Sequence, residues 1–263
     1  MSKTSLKKME FSIPENLNLE IKEFNSPQKV IFGTDSYMRL PSFIPKGTKK
    51  IILFTHEIGK FTSTGIIDEI ISNLSKASFV VKNYGISNTP STQSIDELTM
   101  EASSFSPDLV LCIGGGSVID GGKLIAALIN NPGKSQDYQD SKCTILEKPV
   151  DIFAVPTTSG SGSEATAVSV LKNSTNGCIK SISSPFLIPK YVLLDPSFIK
   201  FIPPSLLALV GLDAFTHAME SFVSKKANLI TRQNSLLGGR LIYESLPRVI
   251  NGQGNDLDYE KDR

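Results

Sequence analysis

The sequence predicts an α/β fold: a parallel sheet covered by helices on both faces, followed by the beginning of an all-helical domain. Three observations carry this reading. Short apolar runs alternate with helix-length segments of mixed polarity up to about residue 200. Strands buried on both faces read as near-continuous apolar runs, as a covered parallel sheet requires. Two loops rich in glycine and hydroxyl residues directly follow such runs. Beyond Pro203-Pro204 the apolar residues recur at three and four, the period of a helix.

Residues 1 to about 25 read as an irregular lead-in. Its lysines are followed by no apolar run, so it lacks the pattern of a secretory signal. Strand-like runs then recur: "KVIF" near Val30, "KIILFT" from Lys50 to Thr55, "SFVVK" from Ser78 to Lys82, and "DLVLCI" from Asp108 to Ile113. Between them, "STGIIDEIISNLSK" and "STQSIDELTMEASSF" have helix length, and Ser91 or Thr92 stands in a good N-cap position for the second. After "DIFAVPTTSGSGSEAT" come the strand-like pieces "AVSVLK", "CIKSIS" and "YVLLDP". Consecutive prolines stop a strand and can open a helix, so the boundary falls at Pro203-Pro204. Residues 1–203 form the α/β part, and 204–263 the helical part. The chain ends in "NGQGNDLDYEKDR", read either as a solvated tail or as a loop and the first turns of another helix.

The 263 residues are 40% apolar and 20% charged with a net charge of +1, which offers no electrostatic pull on nucleic acid or an acidic membrane. Cys112, Cys143 and Cys178 are odd in number and form no CxxC, so a reducing, cytoplasmic setting is expected. The longest apolar run, Leu124 to Ile129, is far too short to span a bilayer.

Three stretches carry chemistry. In "LCIGGGSVIDGGK" three glycines let a ligand approach the backbone where a strand ends and a helix begins. Ser117 is expected to cap that helix, whose positive end favours phosphate. The spacing matches neither GxGxxG nor a Walker A loop, and a tight turn that binds nothing has the same composition. "PTTSGSGSE" supplies the hydroxyls of Thr157, Thr158, Ser159, Ser161 and Ser163 with little bulk. It reads as a loop tracking a nucleotide or as a flexible surface loop. In open α/β sheets ligands bind beyond the carboxyl ends of the strands, which favours the binding reading for two such loops together. In "GLDAFTHAMESF", Asp213 and His217 are four residues apart on one helix face and can point at a common metal ion. Leu212, Phe215, Met219 and Phe222 are expected to form the apolar stripe opposite them, in which case a solvated polar face is the alternative.

Together, "GGGSVIDGGK", "PTTSGSGSEAT", "YVLLDP" and "GLDAFTHAMES" resemble the iron-containing (group III) alcohol dehydrogenase family, with its GGGSxxDxAK, PTTxGTGSE and GxDAxxHAxE patterns. The resemblance runs from about Pro27 to Leu246. It implies a Rossmann-like dinucleotide-binding domain followed by a helical metal-binding domain. It also implies NAD or NADP as cofactor, Fe2+ or Zn2+ as metal, and a small alcohol or aldehyde as substrate. Carried over by residue, Gly115, Gly116 and Ser117 form the pyrophosphate turn and Asp120 supports it. Thr157, Thr158 and Ser161 contact the nicotinamide ribose and phosphates, and Lys180 reaches toward the cofactor. Asp213 and His217 match the first two of four metal ligands.

The family's third and fourth ligands are later histidines, and no histidine follows His217. The metal site is therefore expected to be incomplete and the chain to stop within the helical domain, with self-association or poor solubility as a consequence. A non-catalytic nucleotide-binding fragment is the main alternative, and a lyase like dehydroquinate synthase a weaker one. His56 stands after "IILFT", where the family often has an acidic residue for the adenosine ribose. Loss of that charge predicts tolerance of NADP, with Glu57 one residue too late to substitute.

Overall fold

The computed structural model describes residues 23–56 and 64–254. The lead-in up to residue 22, the carboxylate of Glu57 and the tail from residue 255 lie outside the described residues. Six strands form one parallel sheet in the order β1-β8-β5-β4-β2-β3. They are β1 (Lys29–Phe32), β2 (Lys50–His56), β3 (Val80–Ile86), β4 (Leu109–Gly114), β5 (Asp151–Pro156) and β8 (Tyr191–Leu194). Strands β1, β2, β4 and β8 run close to their sequence expectation, whereas β3 begins two residues later than "SFVVK" and continues to Ile86.

Burial on both faces explains the continuous apolar runs. Side chains alternate along a strand, so Ile52 and Phe54 of β2 and Val110 and Cys112 of β4 enter one core. Ile51 and Leu53 of β2, with Leu109, Leu111 and Ile113 of β4, enter the other. Helices α3 (Thr92–Phe105) and α4 (Gly116–Asn130) cover the first face. Helix α2 (Ile66–Lys76) and the short α1 (Leu40–Phe43) cover the second. Each fully buried aliphatic or Phe side chain here contributes about 1.5–3 kcal/mol. Helix α3 is capped by Ser91, whose hydroxyl accepts the N–H of Ser94 in a reciprocal capping box. Helix α4 lies so close to β4 that a Cβ at Gly122 would overlap Cys112 Sγ. Burial pushes the Cys112 thiol up to about 12, so it stays protonated and behaves as a small apolar side chain.

Three features lie outside the simple alternation. Helix α5 (Ser135–Gln139) is a short connector. The pieces β6 (Val168–Lys172) and β7 (Ile179–Ser183) pair antiparallel with each other and stay out of the main sheet. The chain then re-enters the sheet as β8, next to the edge strand β1.

From Pro204 the chain is helical: α6 (Pro204–Val223) and α7 (Leu229–Ile250) pack on each other. They meet through Leu207, Val210, Ala214, Ile242, Leu246 and Val249, and Gly211 lets the Leu246 side chain lie against the α6 backbone. Of the apolar stripe expected from sequence, Phe215 packs against this core and the other three residues are corrected. Leu212, Met219 and Phe222 are exposed, because the small residues Gly211 and Ala214 allow the closer approach and so define the packed face. Helix α6 is also long and apolar enough to cross a membrane by length and composition, although it carries Asp213, His217 and Glu220.

Candidate functional site

The carboxyl ends of the parallel strands open into a cleft of about 560 Å³. One wall is the start of α4, with Gly116, Ser117 and Asp120. A second is the loop after β5, with Thr158, Gly160, Ser161 and Ser163. The third is α6, which brings Val210, Asp213 and His217. Residues Asn88, Thr89 and Pro90 after β3, and the β6–β7 hairpin, close the remaining sides.

The glycine turn is a close-packed joint. A Cβ at Gly116 would lie 2.6 Å from Ser161 Oγ and 3.1 Å from Ser163 Oγ, so only glycine lets the hydroxyl loop sit this near the helix start. The loop is tied to β4 by Thr157, whose N–H donates to Gly114 O at 3.0 Å. Gly115 is the N-cap of α4, and no side chain caps it. The expected Ser117 cap is therefore corrected. Ser117 lies inside the first turn, and its hydroxyl donates to Asn88 O at 2.7 Å. Thus, among the described residues, no side chain caps the first amides of α4. A long helix with such an end favours an anionic group.

Asp120 and Lys123 form an ion pair (3.1 Å) on one face of α4, with the lysine side chain fully buried. Asp120 also accepts the N–H of Val170 at 3.0 Å, while Ser169 Oγ donates to the Asp120 carbonyl at 2.8 Å. Burial holds the Lys123 amine below its ordinary pKa, and the Asp120 carboxylate opposes that shift. Sequence reading assigned Lys123 no role of its own, although the GGGSxxDxAK pattern ends on it. The available signal was a lone Asp/Lys pair three residues apart in the otherwise apolar "VIDGGKLIAALI", where charges must pair if they are buried.

On α6, His217 Nε2 and Asp213 Oδ1 are 3.8 Å apart, and both side chains are about half exposed (52% and 55%). His217 Nδ1 is 3.3 Å from the carbonyl of Gly160. A carbonyl only accepts, so Nδ1 donates in this contact and Nε2 is the ring nitrogen left beside Asp213, an arrangement suited to a metal ligand. Among the described residues, no third His, Cys, Asp or Glu joins the pair.

The cleft therefore brings together Gly116, Ser117, Asp120, Thr158, Ser161, Asp213 and His217. Gly115 and Thr157 lie just behind its wall. Lys180 is not part of it. On β7 its ammonium is 3.1 Å from Asp140 Oδ1, an ion pair on the outer side of the hairpin that lowers the Asp140 pKa. His56 ends β2 and contacts Asn88 Oδ1 through Nε2, so it reaches the cleft only through Asn88.

Comparison with known proteins follows the same outline. A family model described as iron-containing alcohol dehydrogenase matches residues 27–196. The chain is 37% identical over 154 residues to a sulfoacetaldehyde reductase of Bilophila wadsworthia, covering 58% of this chain and 39% of that protein. It is 27% identical over 232 residues to an NADPH-dependent butanol dehydrogenase of Clostridium saccharobutylicum, covering 87% and 59%. Among solved structures, a sulfoacetaldehyde reductase from Bifidobacterium kashiwanohense in complex with NAD+ superposes with a TM-score of 0.84 at 26% identity, covering 92% of this chain and 64% of that one. The chain thus spans between about two-fifths and two-thirds of these proteins.

Proposed function

Because the chain belongs to the iron-containing alcohol dehydrogenase family, we propose that its cleft binds NAD(H) or NADP(H) and serves hydride exchange with a small alcohol or aldehyde. The observation that carries this reading is the meeting, across one cleft, of an uncapped helix start, a loop of small hydroxyl residues and the Asp213–His217 pair. A pyrophosphate fits the first two by chemistry. The α4 amides and the hydroxyls of Thr158 and Ser161 donate, and Gly116 keeps side-chain bulk out of the contact. The cofactor would supply the hydride. Within this reading, the chain's own residues hold and orient it, and residues 1–203 act as the dinucleotide-binding part.

For a metal the fit is partial. Asp213 and His217 supply two donors, whereas a catalytic zinc site takes three protein ligands with one open position. These two residues alone do not complete such a site. That observation also favours a second reading, in which the chain binds dinucleotide without turning over substrate.

The relatives include a sulfoacetaldehyde reductase, a butanol dehydrogenase and a long-chain-alcohol dehydrogenase, which supports an alcohol or aldehyde as the substrate class. His56 at the end of β2 brings no carboxylate to repel a 2′-phosphate, so NADPH is expected to bind at least as well as NADH. A cytoplasmic location goes with this reading. The chain contains no tryptophan, so nicotinamide fluorescence can be followed directly. Titration with NADH and NADPH should give saturable binding. NADH binding at least tenfold tighter than NADPH would contradict the His56 argument, and no binding of either would overturn the cofactor reading. Hydride transfer is then followed with short aldehydes and added ferrous or zinc ion.

A further inference from the structure

We propose that Lys123 is a positioning residue for the cofactor. Its buried ammonium fixes the hydroxyl loop at the distance from the start of α4 at which both can grip one dinucleotide. This inference rests on the dinucleotide reading above.

One face of α4 presents Gly116, Asp120 and Lys123, at i, i+4 and i+7, to the segment that follows β5. Each of the three holds a different point of that segment. At Gly116 the loop touches through Ser161. At Asp120 the carboxylate takes the Val170 amide, which anchors the hairpin. Two turns into the helix, Lys123 Nζ donates to Ser163 O (2.9 Å), Thr166 O (3.2 Å) and Thr166 Oγ1 (3.1 Å), and pairs with Asp120. An ammonium has three N–H groups and no lone pair. Three acceptors take those three N–H groups and the Asp120 carboxylate supplies the counter-charge, so the charged form is the one that satisfies the site.

Residues Thr158 to Ser163 run from the Thr157 N–H bond to Gly114 O, just after β5, to the first Lys123 acceptor, and the side chains of Thr158, Ser161 and Ser163 line the cleft. The same loop meets α6, where Gly160 packs against Val210 and its carbonyl faces His217. A shift of the loop relative to α4 would therefore open the grip on a pyrophosphate and also displace the Gly160 carbonyl that orients the histidine. Lys123 itself does not line the cleft. It acts through the loop.

The test measures NADH binding and amide hydrogen exchange in wild type, Lys123→Met and Thr166→Val. The valine variant removes one acceptor of the ammonium, leaves the Lys123–Asp120 pair intact, and serves if the methionine variant fails to fold. In K123M, NADH should bind at least tenfold more weakly. Amides of residues 158–166 should exchange at least tenfold faster, while those of β4 keep their protection. T166V should shift both readouts in the same direction by a smaller factor, about threefold. A lysine that served stability alone would instead move β4 and the loop together, and that outcome overturns the proposal. NADH binding within twofold of wild type in both variants also overturns it, leaving the dinucleotide reading intact. A wild-type chain that binds neither NADH nor NADPH overturns both.

Discussion

The two sides of the cleft are built by different means. On the cofactor side, backbone and small hydroxyls are set into a packed core, with Asp120, Lys123, Thr157 and Ser163 all buried behind them. On the α6 side, the chemistry rests on two half-exposed side chains held by one helix and a single carbonyl contact. A site made from contiguous loop and helix start is completed by the fold of that segment. A metal site needs side chains gathered from several elements, so one helix supplies only part of it. The first kind should be sensitive to single atoms, and the second should be nearly separable from the rest.

The sharpest way to break this contrast is Gly116→Val. The added side chain would begin 2.6 Å from Ser161 Oγ, between the loop and the helix start. Dinucleotide binding should fall at least a hundredfold, while the circular dichroism of the sheet and helices is retained. Binding within threefold of wild type would mean that the turn has no ligand role.

Gly122→Ala tests the packing beneath the site. A methyl group would meet Cys112 Sγ, so overpacking should cost about 1–3 kcal/mol. The gain in helix propensity, about 1 kcal/mol, offsets part of that. Urea denaturation should show a net loss, and adding Cys112→Ala should recover much of it by removing the sulfur. A neutral or stabilising G122A would show that the core yields more easily than the geometry implies.

Ser117→Ala removes the hydroxyl bond to Asn88 O rather than a helix cap. The expected loss is about 1 kcal/mol of stability, read from the denaturation midpoint. The smallest effect is expected from His217→Ala. Its side chain is half exposed, so stability should stay within about 0.5 kcal/mol and NADH affinity within twofold, while any zinc that co-purifies is lost. A large drop in NADH affinity would show that the two sides are coupled more strongly than their burial suggests.

The same contrast governs how much could be read in advance. The apolar runs of β2 and β4 are continuous because both sheet faces are covered, so they were legible as strands and the glycine turn as their exit. Local motifs placed Gly116, Thr158, Ser161, Asp213 and His217 around one cleft. Legibility ended where a residue's role depends on a distant partner. Ser117 looks like a cap until Asn88, 29 residues upstream, takes its hydroxyl. Lys180 looks free to reach a ligand until Asp140, 40 residues away, takes its ammonium. In α6, counting large apolar residues picked Leu212, Met219 and Phe222, but the contact forms where small residues let α7 come close. Lys123 was hidden for the same reason, since two of its three hydrogen-bond acceptors are backbone carbonyls 40 and 43 residues away, which no side-chain pattern encodes.

The measurement that bears most directly on this account is a titration of the chain with NADH and NADPH, first in EDTA and then with added zinc or ferrous ion. On the proposed reading the dinucleotide is held without the Asp213–His217 pair, so one-to-one saturable binding is predicted in EDTA, with an affinity that changes less than twofold when metal is added. Metal retained through gel filtration should stay well below one ion per chain. Dinucleotide binding that requires metal, or one tightly held ion per chain, would contradict it.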